Sequence, residues 1–218
     1  MATSGSQDFS LNVADAIEEA YERIGQEVRT GYDAQKARRS LNILFQEWTN
    51  RGIKLWTVTK VTDTVTESTE EYTMNAYDLD ILEAAVRRDS VDYRLQRIGR
   101  EDYLNIPNKT QEGRPTMIYV ERSTTPKYYL WPTPENSTDQ IVSYRMQRIE
   151  DADKLINDLA IPSRFIPPMV SGLAFYLSLK LAPERAQGLK LLYEEDFKRA
   201  ADEDRERSSF WAIPKVSR

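Results

Sequence analysis

Apolar positions along the chain follow three regimes: helical spacing, then near-alternation, then helical spacing again. From Asn12 onward, Val13, Ala16, Ile17, Ala20 and Ile24 recur every three or four residues, which turns one face of a helix toward a core. Asn12 with Asp15 three residues on has the layout of a capping box, and Gly25 ends the segment. A second stripe of Ala37, Leu41, Leu44 and Trp48 predicts a helix with Asp33 as N-cap and Gly52 just past its end. Between residues 53 and 149 the period shortens. Strands are expected over residues 54–61, 70–75, 81–87, 92–98, 116–122, 127–131 and 140–148. Turn chemistry separates them at Asp89-Ser90, Asn108 to Gly113, Thr124 to Pro126 and Pro132 to Ser137, and Gly99 precedes a short expected helix, residues 100–104. Strands joined this closely favour an antiparallel sheet or a small barrel.

Helical spacing returns after Ile161. Ser163 is placed to cap, and Met169, Val170, Leu173, Ala174, Leu177 and Leu181 make an apolar face wide enough for a central, buried helix. Pro183 opens a last helix, striped by Ala186, Leu189, Leu192 with Tyr193, Phe197 and Ala200, whose end becomes almost pure charge (DEDRER, residues 202–207). The expected fold class is α+β: a body of two N-terminal and two C-terminal helices, with a β-rich antiparallel domain inserted between the second and third. In residue terms, 1–10 form a flexible arm, 11–52 and 150–208 the helical body, 53–149 the insertion and 209–218 a C-terminal extension. No period of 20–50 residues repeats, which excludes a solenoid.

Composition narrows the chemistry. At 218 residues, 40% hydrophobic and 30% charged, the chain has enough apolar material for a core. Its net charge of −5 argues against a surface built to neutralise many phosphates. There is no cysteine and no histidine, so disulfides, thiolate nucleophiles and the commonest general base and metal ligand are excluded. The eight glycines are scattered singly, without a phosphate-cradling loop. The apolar run near residues 165–181 is broken by Pro167, Pro168, Ser171, Ser178 and Lys180, so no membrane span is expected. The N-terminal MATSGSQDFS lacks the layout of a signal peptide, and a cytoplasmic site of synthesis and assembly is expected. No enzyme activity, cofactor or metal is expected.

Candidate sites are few. The carboxylate pairs Glu18-Glu19, Glu70-Glu71, Glu194-Glu195 and the run Asp202, Glu203, Asp204 read as solvated faces, because paired acid–base work needs one poorly solvated carboxyl. Asp78, Asp80 and Glu83 lack the glycine and spacing of a Ca²⁺ loop. Lys36, Arg38 and Arg39 on the second helix offer contact with nucleic-acid phosphates, but the acidic balance favours a solvated helix face. Tyr119, Tyr128, Tyr129, Trp131 and Tyr144 suit base stacking or sheet packing, and without interleaved basic residues packing is preferred. Phe210, Trp211 and Ile213 lie beyond the last helix. Either the tail folds back on its own body or these residues anchor a partner, and exposed apolar anchors with a tryptophan favour the partner.

The stretch AQKARRSLNILFQEWTNRGIKLWTV, from Ala34 to Val58, resembles the second helix and first strand of the bacteriophage head-to-tail adaptor family. That family includes the tail tubular A proteins and the tail accessory factors that stabilise packaged DNA. GRPTMIYVERS, YYLWPTP and IPSRFIPPMVSGLAFYLSLKLAPE follow in the family's order, and the likeness spans residues 13–207. The resemblance implies a virion protein of the neck: a dodecameric ring beneath the portal protein that extends the DNA channel. It also implies a platform for tail nozzle or tail tube proteins and, in some phages, fibres or spikes. Genomic DNA would pass through without specific binding, as suits twelve copies carrying roughly −60 together. Carried onto this chain, the resemblance puts Phe210, Trp211, Ile213 and Pro214 at the portal interface. The reading from a different class is a phage nucleic-acid-binding protein of replication or packaging that uses Lys36, Arg38 and Arg39.

Overall fold

A computed structural model of the chain describes residues 5, 9–52 and 55–204. The chain divides into two compact units, one drawn from Met1–Leu55 and Glu150–Arg218, the other Trp56–Ile149. Secondary structure is mixed α+β, with the β-rich segment lying between the two N-terminal and the two C-terminal helices of the body.

In the helical unit, α1 spans Val13–Ile24. The Asn12 side chain accepts from the Asp15 N–H at 2.8 Å and donates to the Asp15 carboxylate at 2.7 Å, and Gly25 closes the helix at φ 75°. Helix α2 spans Gly31–Arg51, and its N-cap is Thr30 rather than Asp33. The Thr30 hydroxyl accepts from the Asp33 N–H, which makes Asp33 the third helical residue, where its carboxylate accepts from that hydroxyl at 3.0 Å. Helix α4, Ile166–Leu181, is the central one, with its residues from Pro168 to Ala174 all buried. Ser163 does not cap it. Ser163–Phe165 form a 3₁₀ turn, and Pro167 and Pro168 occupy the first helical turn, where no N–H partner is needed. After a second 3₁₀ turn, Pro183–Arg185, helix α5 spans Ala186–Glu203.

Trp48 centres this core. It is fully buried, its ring lies 5.5–6.0 Å from those of Phe45, Phe165 and Phe197, and its indole N–H donates to the Tyr193 hydroxyl at 3.0 Å. The position expected of Leu192 belongs to Tyr193, because only Tyr193 reaches the indole and Glu47; Leu192 is exposed. Gly172 lets α4 close on its neighbours: a Cβ there would stand 2.9 Å from the Tyr193 ring and 3.0 Å from both Leu44 methyls.

In the other unit, the strands are β1 (Val58–Thr64), β2 (Glu71–Thr73), β3 (Asp78–Arg88), β4 (Val91–Arg94) and β5 (Gln96–Ile98). The short helix α3 (Arg100–Leu104) follows, then β6 (Glu112–Gly113), β7 (Met117–Glu121), β8 (Lys127–Trp131), β9 (Thr133–Pro134) and β10 (Gln140–Gln147). Instead of one sheet or barrel there are two four-stranded sheets, ordered β1-β10-β3-β4 and β2-β8-β7-β5, with a small β6-β9 pair. The single strand expected over 92–98 is two strands. At buried Leu95 the chain leaves one sheet for the other: its N–H donates to Ala84 O, and the next N–H, of Gln96, to Thr116 O. That crossing makes β5 run parallel to β7, and β6–β9 is parallel too, so the expected all-antiparallel pairing is corrected at those two places. The first strand begins at Val58, after a 3₁₀ turn at Leu55–Thr57. Ile81, Val86, Leu95, Ile118, Tyr128, Leu130 and Ile141 from both sheets share one core.

Candidate assembly surfaces

The charged residues singled out in the sequence are mostly tied to one another. Arg145 sits in β10 beside a break in register, almost wholly buried. Its guanidinium donates to Asp78 at 3.1 Å, to Ser143 at 3.1 Å and to Asp63. Asp78 also accepts from Gln147 at 2.9 Å, and Asp63 accepts from the Tyr128 hydroxyl at 2.8 Å. One cation therefore holds β1, β3 and β10 together and, through Tyr128, reaches the facing sheet. Asp80 is buried in the same way under Arg97 and Arg122. Asp78 and Asp80 are thus already neutralised by arginines, and Glu83 is exposed with Arg94 at 3.8 Å. Among the described residues no group of three or more metal-ligating side chains converges.

The carboxylate pairs behave alike. Glu19 meets Arg23, Glu71 meets Lys127 and the Tyr129 hydroxyl, and Asp204 meets Arg164. Arg51 at the end of α2 forks onto Glu194 of α5 at 2.7 and 2.8 Å while holding Glu47 at 2.6 Å. The Glu194 carboxyl is held below its ordinary value, first by the Arg51 hydrogen bonds. Burial, and then the hydrogen bond to Glu47, push the Tyr193 phenol up; burial and Asp63 do the same to Tyr128. Tyr103 is pushed up to about 12 by burial and then by Glu70 and Glu71. These tyrosines move away from neutrality, the opposite of what a phenol acting as a base requires.

Of the aromatic positions, Tyr128 lies in the sandwich core and stacks on Tyr72 at 5.2 Å. Tyr119 stacks on Tyr103 of α3 at 5.1 Å and on Tyr129 at 5.7 Å, Tyr129 meets Tyr103 tilted at 5.3 Å, and the Trp131 indole N–H donates to Asn108 O at 3.0 Å. Tyr144 is exposed. These rings are used in packing α3 and the two sheets, with Tyr144 the exception.

Lys36, Arg38 and Arg39 do not form one basic patch. Lys36 lies over the Tyr32 ring at 4.2 Å and 3.8 Å from Asp33. Arg38 points about 160° away around the helix from Lys36 and donates to Asp153 O. Arg39 has no ion-pair or hydrogen-bond partner among the described residues, and faces a groove of about 470 Å³ lined by Gln35, Arg38, Asn42, Ile43 and Asp151. Phe210, Trp211, Ile213 and Pro214 lie outside the described residues. What the sequence reading missed is apolar: Ile43 on α2, Leu179 on α4, and Leu191 and Leu192 on α5 are all exposed. Helical periodicity alone marks Ile43 and Leu191 as off-stripe, which was the available signal.

Several acids are held in internal ion pairs, and α4 and α5 keep leucines on their outer faces, apolar surface of the kind that meets other proteins. The family model for the SU10 adaptor protein matches residues 3–214, and the chain belongs to that family. It is a phage head-to-tail adaptor family, structural in character, and membership implies contact with portal and tail components and a place in the virion neck. No curated protein sequence matches the chain. No helix among the described residues is long and apolar enough to cross a membrane.

Proposed function

We propose that this protein is the structural head-to-tail adaptor of a tailed phage, a dodecameric ring below the portal that extends the DNA channel and receives the tail. The match of the adaptor family over residues 3–214 is the observation that carries this reading. Its function is assembly and not catalysis, which agrees with the absence of histidine and cysteine and with phenols shifted away from neutrality. Its division follows the sequence: residues 11–52 and 150–208 form the ring body, 53–149 the inserted β domain and 209–218 the extension. Phe210, Trp211, Ile213 and Pro214 are the portal anchor, and DNA passes without specific binding.

Mass photometry and negative-stain imaging of the chain with the purified portal of its phage test this directly. A ring seated on the portal is expected. Tight, salt-sensitive DNA binding with no portal complex would overturn the proposal in favour of a nucleic-acid-binding protein using Lys36, Arg38 and Arg39. Deletion after Ser209 tests the anchor, and undiminished portal binding would remove Phe210, Trp211, Ile213 and Pro214 from it.

A further inference from the structure

Two helices of the body present outward faces of different chemistry. On α2 the exposed residues include Gln35, Arg39, Ile43 and Gln46; Ile43 is 50% exposed and Arg39 is unpartnered among the described residues. On α5 the exposed face carries Gly188, Leu191, Leu192 and Glu195, with Leu191 64% and Leu192 41% exposed. Isolated surface leucines are ordinary, but two adjacent ones beside a helical glycine are not accounted for by the fold.

Gly188 is the informative residue. Its φ is not positive, so no left-handed conformation requires glycine, and among the described residues nothing lies within 4 Å of where a Cβ would stand. Neither backbone geometry nor packing among the described residues explains it, and helix propensity opposes it. A bare spot on a helix beside exposed leucines does admit the close approach of a second helix.

We propose that the outer face of α2 in one copy packs onto the α5 face of Gly188, Leu191, Leu192 and Glu195 in the next copy, repeated head to tail. This rests on the ring reading above and names the surfaces that would close it. The occupant is a second copy because the two faces complement each other. On the outward face of α2, Arg39 is a cation with no ion-pair partner among the described residues and stands one turn from Ile43. On the outward face of α5, Glu195, which meets the exposed Arg199 one turn on, stands beside Leu191 and Leu192. Pairing α2 with α2 would oppose one Arg39 to another, whereas α2 on α5 brings Arg39 toward Glu195 and Ile43 toward the leucines. Two different faces of one molecule make a heterologous contact, the kind that propagates around a ring.

The natural absence of cysteine supplies the test. The I43C/L191C double variant, oxidised with and without purified portal, is expected to give a ladder on a non-reducing gel at successive multiples of 25.3 kDa. Each single-cysteine variant stops at the dimer. Independently, G188R should weaken self-association roughly tenfold or more by mass photometry, with its circular dichroism unchanged. A mixture of R39E/I43D with L191D, each retaining one intact face, should give one-to-one dimers and nothing longer. Rings formed by I43C/L191C without any ladder, or by G188R as readily as by the natural chain, overturn the proposal and leave the adaptor reading standing. Cross-linking confined within monomers overturns it as well. No ring from the natural chain, even with portal, removes both.

Discussion

Arg145 is the residue whose loss should cost the β unit most. Its side chain is 2% exposed and serves Asp78, whose side chain is fully buried, and Asp63, which is partly buried. Replacing it with methionine keeps the aliphatic volume but, among the described residues, leaves Asp78 with Gln147 and the Asn75 N–H as its hydrogen-bond donors, and no cation. Breaking a buried pair from one side costs about 3–5 kcal/mol, because the remaining charge stays desolvated. Against a total stability of roughly 5–15 kcal/mol for a domain, that is a large share. With a urea dependence of about 2 kcal/mol per molar, Arg145→Met should lower the unfolding midpoint by about 1.5–2.5 M. Hydrogen exchange of the β3 and β10 amides should report the loss locally while Trp48 and its helices stay protected. The same reasoning says that a charge-free set, Arg145→Met with Asp78→Leu and Asp63→Leu, recovers much of the lost stability. A midpoint shift below about 0.5 M for Arg145→Met, or a triple variant no better than the single, would refute the argument.

Two alanine substitutions should have opposite signs. Gly172→Ala drives a methyl into Tyr193 and Leu44 and should destabilise by about 1–2 kcal/mol despite better helix propensity. Gly188→Ala meets nothing and should stabilise by up to about 0.5–1 kcal/mol; thermal melts of the two variants check both signs. Tyr193→Phe removes the hydroxyl that accepts from Trp48 and donates to Glu47, and about 1–3 kcal/mol should be lost in urea titration. Glu194 is held below its ordinary value of 4.5, so its contribution is complete above that value and disappears as pH falls through the lower folded-state value. Stability measured from neutral to acid pH should therefore decline more steeply in the natural chain than in Arg51→Met.

Elements held by local chemistry were legible from the sequence. Asn12 with Asp15, the alternating run 127–131 and the glycine before α3 each specify their own neighbourhood. Trp48 stood out in its stripe because helical spacing and burial coincide there. What stayed hidden depends on partners distant in sequence. Leu95 crosses between sheets because β3 and β7 lie on either side of it, and no spacing near residue 95 announces that. Asp78 and Asp80 look alike in the chain, yet each meets its arginine only after β10, β5 and the segment after β7 are in place. Thr30 took the cap from Asp33 because both satisfy the pattern and the chain's path into α2 decides between them. The assembly surface was harder still, since Ile43 and Leu191 register as interruptions of a stripe until their exposure is seen.

The pairing of β1 with β10 has an evolutionary corollary. The polypeptide enters the β unit along one and leaves along the other, side by side from Val58 opposite Met146 to Thr64 opposite Gln140. An insertion whose first and last strands pair in one antiparallel ladder has its two chain ends side by side, so it can be lengthened, trimmed or exchanged as a cassette. Grafting this cassette between the helices of another adaptor, or replacing it with a short hairpin, would ask whether the β unit can be retuned without rebuilding the helical unit.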